Sequence, residues 1–183
     1  MGRVGLAVAL AVVVGMSSGC TTATGTFAPA VPAQLCDIIG RSALREVIPG
    51  LEVVLSRPGE KVDGAPSVRC QARALDAGAL VVRLVRYGDG SREAKLRYQT
   101  VATEYAIRKP PGGQKPVSGD VSGVGDDAYR RVDQLGAGAV TRLQLVSRQG
   151  HDVVDVEFTA DRADQLLVER GADEIARRVF AAL

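Results

Sequence analysis

The sequence predicts an α+β domain, an antiparallel sheet with helices packed on one face. Three observations predict it. Stretches 67–73, 79–87, 139–148 and 151–159 alternate apolar and polar residues with the period of a half-buried strand. Turn signals at hairpin spacing separate them, Asp76-Ala77-Gly78 and Gln149-Gly150 among them. Apolar residues at helical spacing follow each strand group. The order helix, three strands, helix, three strands, helix reads as two βββα units in tandem after an N-terminal helix.

The elements follow in order. Stretch 34–47 carries Leu35, Ile38, Ile39, Leu44 and Val47, a short helix with Gly40 as its weak point and Pro49-Gly50 as its stop. Branched aliphatics at 51–57 make the first strand. In 67–73, Val68, Cys70 and Ala72 point to the core, and Arg69, Gln71 and Arg73 point away. In 79–87, Leu80, Val82 and Leu84 share a face opposite Arg83. Ser91 is placed to cap a helix whose face is Ala94, Tyr98, Val101, Ala102 and Tyr105. After a Gly- and Pro-rich loop, 126–132 and 139–148 read as strands, with Leu143 and Leu145 inward on the second. Residues 151–159 close the hairpin, with Val154, Val156 and Phe158 inward and Asp155 and Glu157 facing water. Asp161 is expected to cap a last helix that buries Leu166, Leu167, Ile175 and Val179 and breaks at Gly171.

The N-terminus predicts an address. Arg3 is followed by an apolar or small-residue run of eleven, 4–14, signal-peptide length and too short to cross a membrane. Ser18 and Gly19 before Cys20 fit the bacterial lipobox, in which that Cys takes the lipid; Ser17 stands where an aliphatic residue is usual. The expectation is a signal at 1–19, a lipid on Cys20, a Thr-, Ala- and Pro-rich tether over 20–32 and a single domain over 33–183. A soluble secretory signal with a chance cysteine is the alternative. Three cysteines in an exported chain leave one unpaired. Lipidation of Cys20 would leave Cys36 and Cys70 to pair in an oxidising compartment, or to remain as two buried thiols.

With the lipobox and tether, the segments "PAQLCDIIG", "SVRCQAR", "GVGDDAY" and "ADEIARRVFAAL" resemble the small actinobacterial lipoproteins of the domain-of-unknown-function family three-five-five-eight. The resemblance implies an extracytoplasmic α+β domain on the cell membrane, anchored through Cys20 and stapled by Cys36 and Cys70. It implies no activity and no catalytic residue.

Composition and motifs narrow the function. Net charge is +2, tryptophan is absent and aromatics are 4%, against a nucleic-acid partner or a base-stacking surface. His151 is the single histidine, too few for a metal site. Apart from Gly15–Gly19 inside the expected signal, no G-x-S-x-G elbow is present, nor any S-x-x-K, and the glycines at 112–113 lack a strand-loop-helix setting. Asp126-Asp127 and Asp152, Asp155 and Glu157 are the acidic clusters, with Asp155 and Glu157 read as a solvated strand edge. No cofactor and no enzyme are expected. The least ordinary feature is basic: Arg69, Arg73 and Arg83 would share the outer sheet face, with Arg57 and Arg86 near strand ends. The expected role is a non-catalytic binding or sensing module. The alternative is an envelope interaction protein that meets anionic lipid or polymer through that face. A closed apolar pocket would mark the first and an exposed charged patch the second.

Overall fold

A computed structural model describes residues 30–75, 78–88, 91–110, 115–136, 140–161 and 164–183. The signal, Cys20, most of the tether and the turns at 76–77, 89–90 and 137–139 lie outside them. The elements are α1 (Leu35–Ile39), α2 (Arg41–Val47), β1 (Val53–Pro58), β2 (Ser67–Ala74), β3 (Gly78–Arg86), α3 (Ser91–Ile107), β4 (Val117–Asp120), β5 (Asp127–Leu135), β6 (Val140–Gln149), β7 (Asp152–Asp161) and α4 (Gln165–Ala181). All seven strands form one antiparallel sheet in the order β1-β2-β3-β7-β6-β5-β4. The fold is α+β. β1–β3 and β4–β7 are each a run of neighbours, and β3 and β7 join them.

The inward residues are those the alternation marks. Val68, Cys70, Leu80, Val82, Leu84, Leu143, Leu145, Val154, Val156 and Phe158 are buried in one cluster beneath α1, α2 and α4. Gly40 divides the first helix in two, with φ +85°, a left-handed conformation that a Cβ would oppose. Cys36 of α1 is bonded to Cys70 of β2 with Cα atoms 5.0 Å apart, so the disulfide staples the helical layer to the sheet.

Five expectations change. The helices do not share one face: α3 lies across β5, β6 and β7 on the opposite side, in a second cluster with Val85, Val146 and Val153. The last turn of α3 hangs on Arg131, which is fully buried. Its guanidinium donates to the carbonyl oxygens of Tyr105 and Arg108, and forks onto Asp133 at 2.8–3.0 Å. Orphan carbonyls at a helix C-terminus so meet a cation. β4 is unexpected: its four residues are all exposed and leave no burial pattern to read. The last helix is capped by Asp164, which accepts from the N–H of Leu166 at 2.9 Å, because β7 runs on to Asp161 to pair with Val140. Leu166 and Leu167 are exposed, since the buried stripe of α4 is Val168, Ala172, Ile175, Ala176 and Val179. Gly171 does not break α4. A Cβ there would fall inside contact distance of both methyl groups of Val47, so the glycine lets α2 approach.

Replacing Cys36 and Cys70 by serine should lower stability to urea by about 3–4 kcal/mol, the loop-closure value for 34 residue steps; an unchanged midpoint would remove the staple from the account. Arg131→Met should cost about 3–5 kcal/mol, because it strands the buried Asp133. Amide exchange should then quicken in α3 before it does in α4.

Candidate functional site

α3 covers only part of its face. Beyond the buried Ser67 and Val85 the same face is open over β1, β2 and β3, and the sheet register arranges its arginines. Arg57 stands opposite Arg69, Arg69 opposite Arg83, and Arg83 opposite Asp155. Three cations thus form one row across three strands, roughly 5 Å from one to the next. Arg73 lies two rows away on that face, between Val53 and Ala79, with Gln71 in the row between. The expected grouping of Arg69, Arg73 and Arg83 on one face is what the register gives, and Arg57 joins it. Arg86 does not. It lies on the opposite face, buried against Asp152 in a two-pronged pair at 2.7 and 3.0 Å.

Arg69, Val81, Arg83, Asp155 and Glu157 line a hollow of about 170 Å³ in the open face. Arg57 and Glu157 are exposed, and Arg69, Arg83 and Asp155 are half-buried. Asp155 therefore does not simply face water. The Tyr105 hydroxyl of α3 donates to its Oδ1 at 2.6 Å. Burial pushes the Asp155 carboxyl up to about 6 and outweighs the Tyr105 hydrogen bond; Glu157 adds to the rise, while Arg83 and Arg97 oppose it. Burial, and then Asp155, also raise the Tyr105 phenol, so Tyr105 stays a donor. Sequence reasoning missed this pair. The alternation placed Asp155 on the correct face, but nothing local says that β7 lies beside β3 or that α3 crosses above it.

The charge balance across the sheet is uneven. Arg86, Arg130, Arg131 and Arg148 each meet a carboxylate at 2.7–3.2 Å. Arg57, Arg69, Arg73 and Arg83 form no such pair with the described residues, and the buried Nε of Arg69 has no hydrogen-bond partner there. His151 sits at the far end of β7, its Nε2 3.7 Å from Asp152. No group of three metal-ligating side chains occurs among the described residues. A second recess, between α2 and α4, is lined by Ala43, Val47, Leu167, Gly171 and charged rims. Both recesses open to the surface.

The raised Asp155 carboxyl fixes a sign. A group whose folded pKa lies above its unfolded value stabilises the fold below the unfolded value, and that contribution is lost as pH rises through about 6. Asp155→Asn keeps an acceptor for Tyr105 and should flatten the fall in urea midpoint between pH 4 and 6.5. Parallel wild-type and variant curves would remove Asp155 from that dependence.

No protein-family model matches the chain, and no curated protein matches it. Among solved structures, it is similar to the extracellular domain of PknH from Mycobacterium tuberculosis. The TM-score is 0.57 at 12% identity, over 83% of this chain and 98% of that one. At that identity the likeness is one of fold.

Proposed function

We propose that this chain is an exported lipoprotein whose folded domain is a non-catalytic binding or sensing module on the outer face of the cell membrane. Residues 1–19 direct export, Cys20 carries the lipid and 20–32 tether the domain. The observation that carries the reading is the Cys36–Cys70 bridge, built into the core between α1 and β2, since such bridges persist in oxidising compartments. The fold shared with a domain described as extracellular supports it. The lipobox and tether support the anchor, and with them the resemblance to the actinobacterial lipoprotein family.

The binding surface is the open sheet half with its arginine row. A non-catalytic role fits the placement of Asp155 and Glu157. They lie two residues apart on one strand and one face, whereas glycosidic chemistry places its carboxylates across a cleft. No membrane-spanning helix occurs among the described residues, so in this proposal the lipid holds the chain.

Intact mass of the membrane-extracted protein tests the address. The expected result is a chain beginning at Cys20 with a diacylglyceryl or triacyl addition, and two alkylations that appear only after reduction. A mature chain without lipid would make this a soluble secreted domain. Two thiols alkylated before reduction would remove the oxidising compartment from the argument.

A further inference from the structure

We infer that the row Arg57–Arg69–Arg83 is a recognition site for a linear polyanion bearing phosphate groups, laid across β1, β2 and β3. This rests on reading the open sheet half as the binding face. Like charges directly opposite on neighbouring strands repel, and here two such pairs share Arg69. The arginines of β5 meet carboxylates at 2.8–3.0 Å, whereas this row makes no such ion pair with the described residues, and of its three cations Arg83 alone has a carboxylate, Asp155, across from it. The unpartnered Nε of Arg69 is a buried charged donor that lacks its acceptor. A fork of guanidinium donors fits phosphate oxygens in two-pronged geometry.

Shape selects a chain over a surface or a single ion. The cations lie in one line, one per strand, and a polymer with a repeated charge meets all three. The line is open at β1, a free edge of the sheet. It is closed at the other end by Asp155, Glu157 and α3, so a polyanion enters from the edge and stops at the carboxylates. Those two carboxylates count against a flat anionic membrane, which would be pressed onto them as well. No aromatic side chain stands in the row or in the hollow, so recognition falls on the charged backbone of the ligand.

The test uses the full chain held in nanodiscs of zwitterionic lipid, with inorganic polyphosphate as probe and calorimetry across a salt series. Three neutralised charges predict a slope near −2 in log affinity against log salt, at roughly 0.7 per charge. Arg57→Gln, Arg69→Gln and Arg83→Gln should each weaken binding about fivefold or more and reduce the slope by about 0.7. Arg45→Gln, on α2, should do neither. Arg57→Gln and Arg69→Gln, whose cross-strand partners in the row are cations, should also raise the unliganded Tm by about 1–3 °C, because relief of like-charge repulsion is worth a fraction of a kcal/mol; a purely structural arginine would lower it. Absence of polyphosphate binding, or binding that survives all three row variants, overturns the proposal. Binding to discs of anionic lipid but not to polyphosphate, lost in the same variants, overturns the polymer and leaves the open face as the binding surface. Binding of polyphosphate that maps away from the row overturns both.

Discussion

The pairing of β3 with β7 is the constraint on which the rest of the molecule depends. It joins strands about seventy residues apart over nine paired positions, from Gly78↔Ala160 to Arg86↔Asp152. Without it the chain is two smaller sheets, each with a new exposed edge. Gly78 stands at one end of the seam with φ +137°, and a Cβ there would meet the carbonyl of Thr159 and the Cα of Ala160. At the other end Arg86 and Asp152 form a buried pair on the helical face. Between them the register sets Arg83 against Asp155 on the opposite face, so one seam positions both a structural ion pair and the end of the arginine row.

Charge decides how the helices sit on the two faces. Consecutive residues of β5 point to opposite sides, and both are arginines. Arg130 reaches Glu169 and Asp173 of α4 at 2.8–3.1 Å, while Arg131 takes the carbonyls that end α3. Burial of the Arg131 fork is tolerable because Asp133 and two backbone oxygens satisfy it together. Tyr105 then reaches Asp155 from the same helix. These contacts lie over β5, β6 and β7, so α3 stays toward that half, with Val85 of β3 in its cluster, and leaves the row Arg57–Arg69–Arg83 uncovered.

Much of this was legible in the sequence, for local reasons. A period of two fixes the inward face of a strand wherever one face is buried, and Val68, Cys70, Val82, Leu143 and Phe158 follow it. Gly40 breaks its helix because a left-handed residue is needed there. The illegible parts are long-range. β4 is exposed throughout and exists by pairing with β5, so its own residues carry no pattern. α3 has only Ala94, Val101 and Tyr105 buried, and its position on the second face is set by Arg131, more than twenty residues away. Gly171 reads as a helix breaker in isolation, and only the neighbour Val47 gives it a reason to be glycine. For the candidate site, alternation found Arg69, Arg73 and Arg83 on one face and sets Arg86 with Leu80, Val82 and Leu84 on the other; strand order was needed to put Arg57 in line and to add Asp155.

The disulfide and the arginine row are linked through a single cross-strand pair. Ser56 of β1 and Cys70 of β2 stand opposite each other on the helical face. Cys36 holds both: its N–H donates to the Ser56 hydroxyl at 2.9 Å, and its sulfur is bonded to Cys70. The next residues along each strand, Arg57 and Arg69, are the opposed pair on the open face. The three-stranded rim has no helix above it on that side, so its rigidity comes from below. One residue of α1 pins β1 to β2 at the position where two like charges push them apart. A recognition surface needs its groups held by a support that the ligand does not supply. Here the staple supplies such support beneath the proposed row, as well as holding α1 to the core.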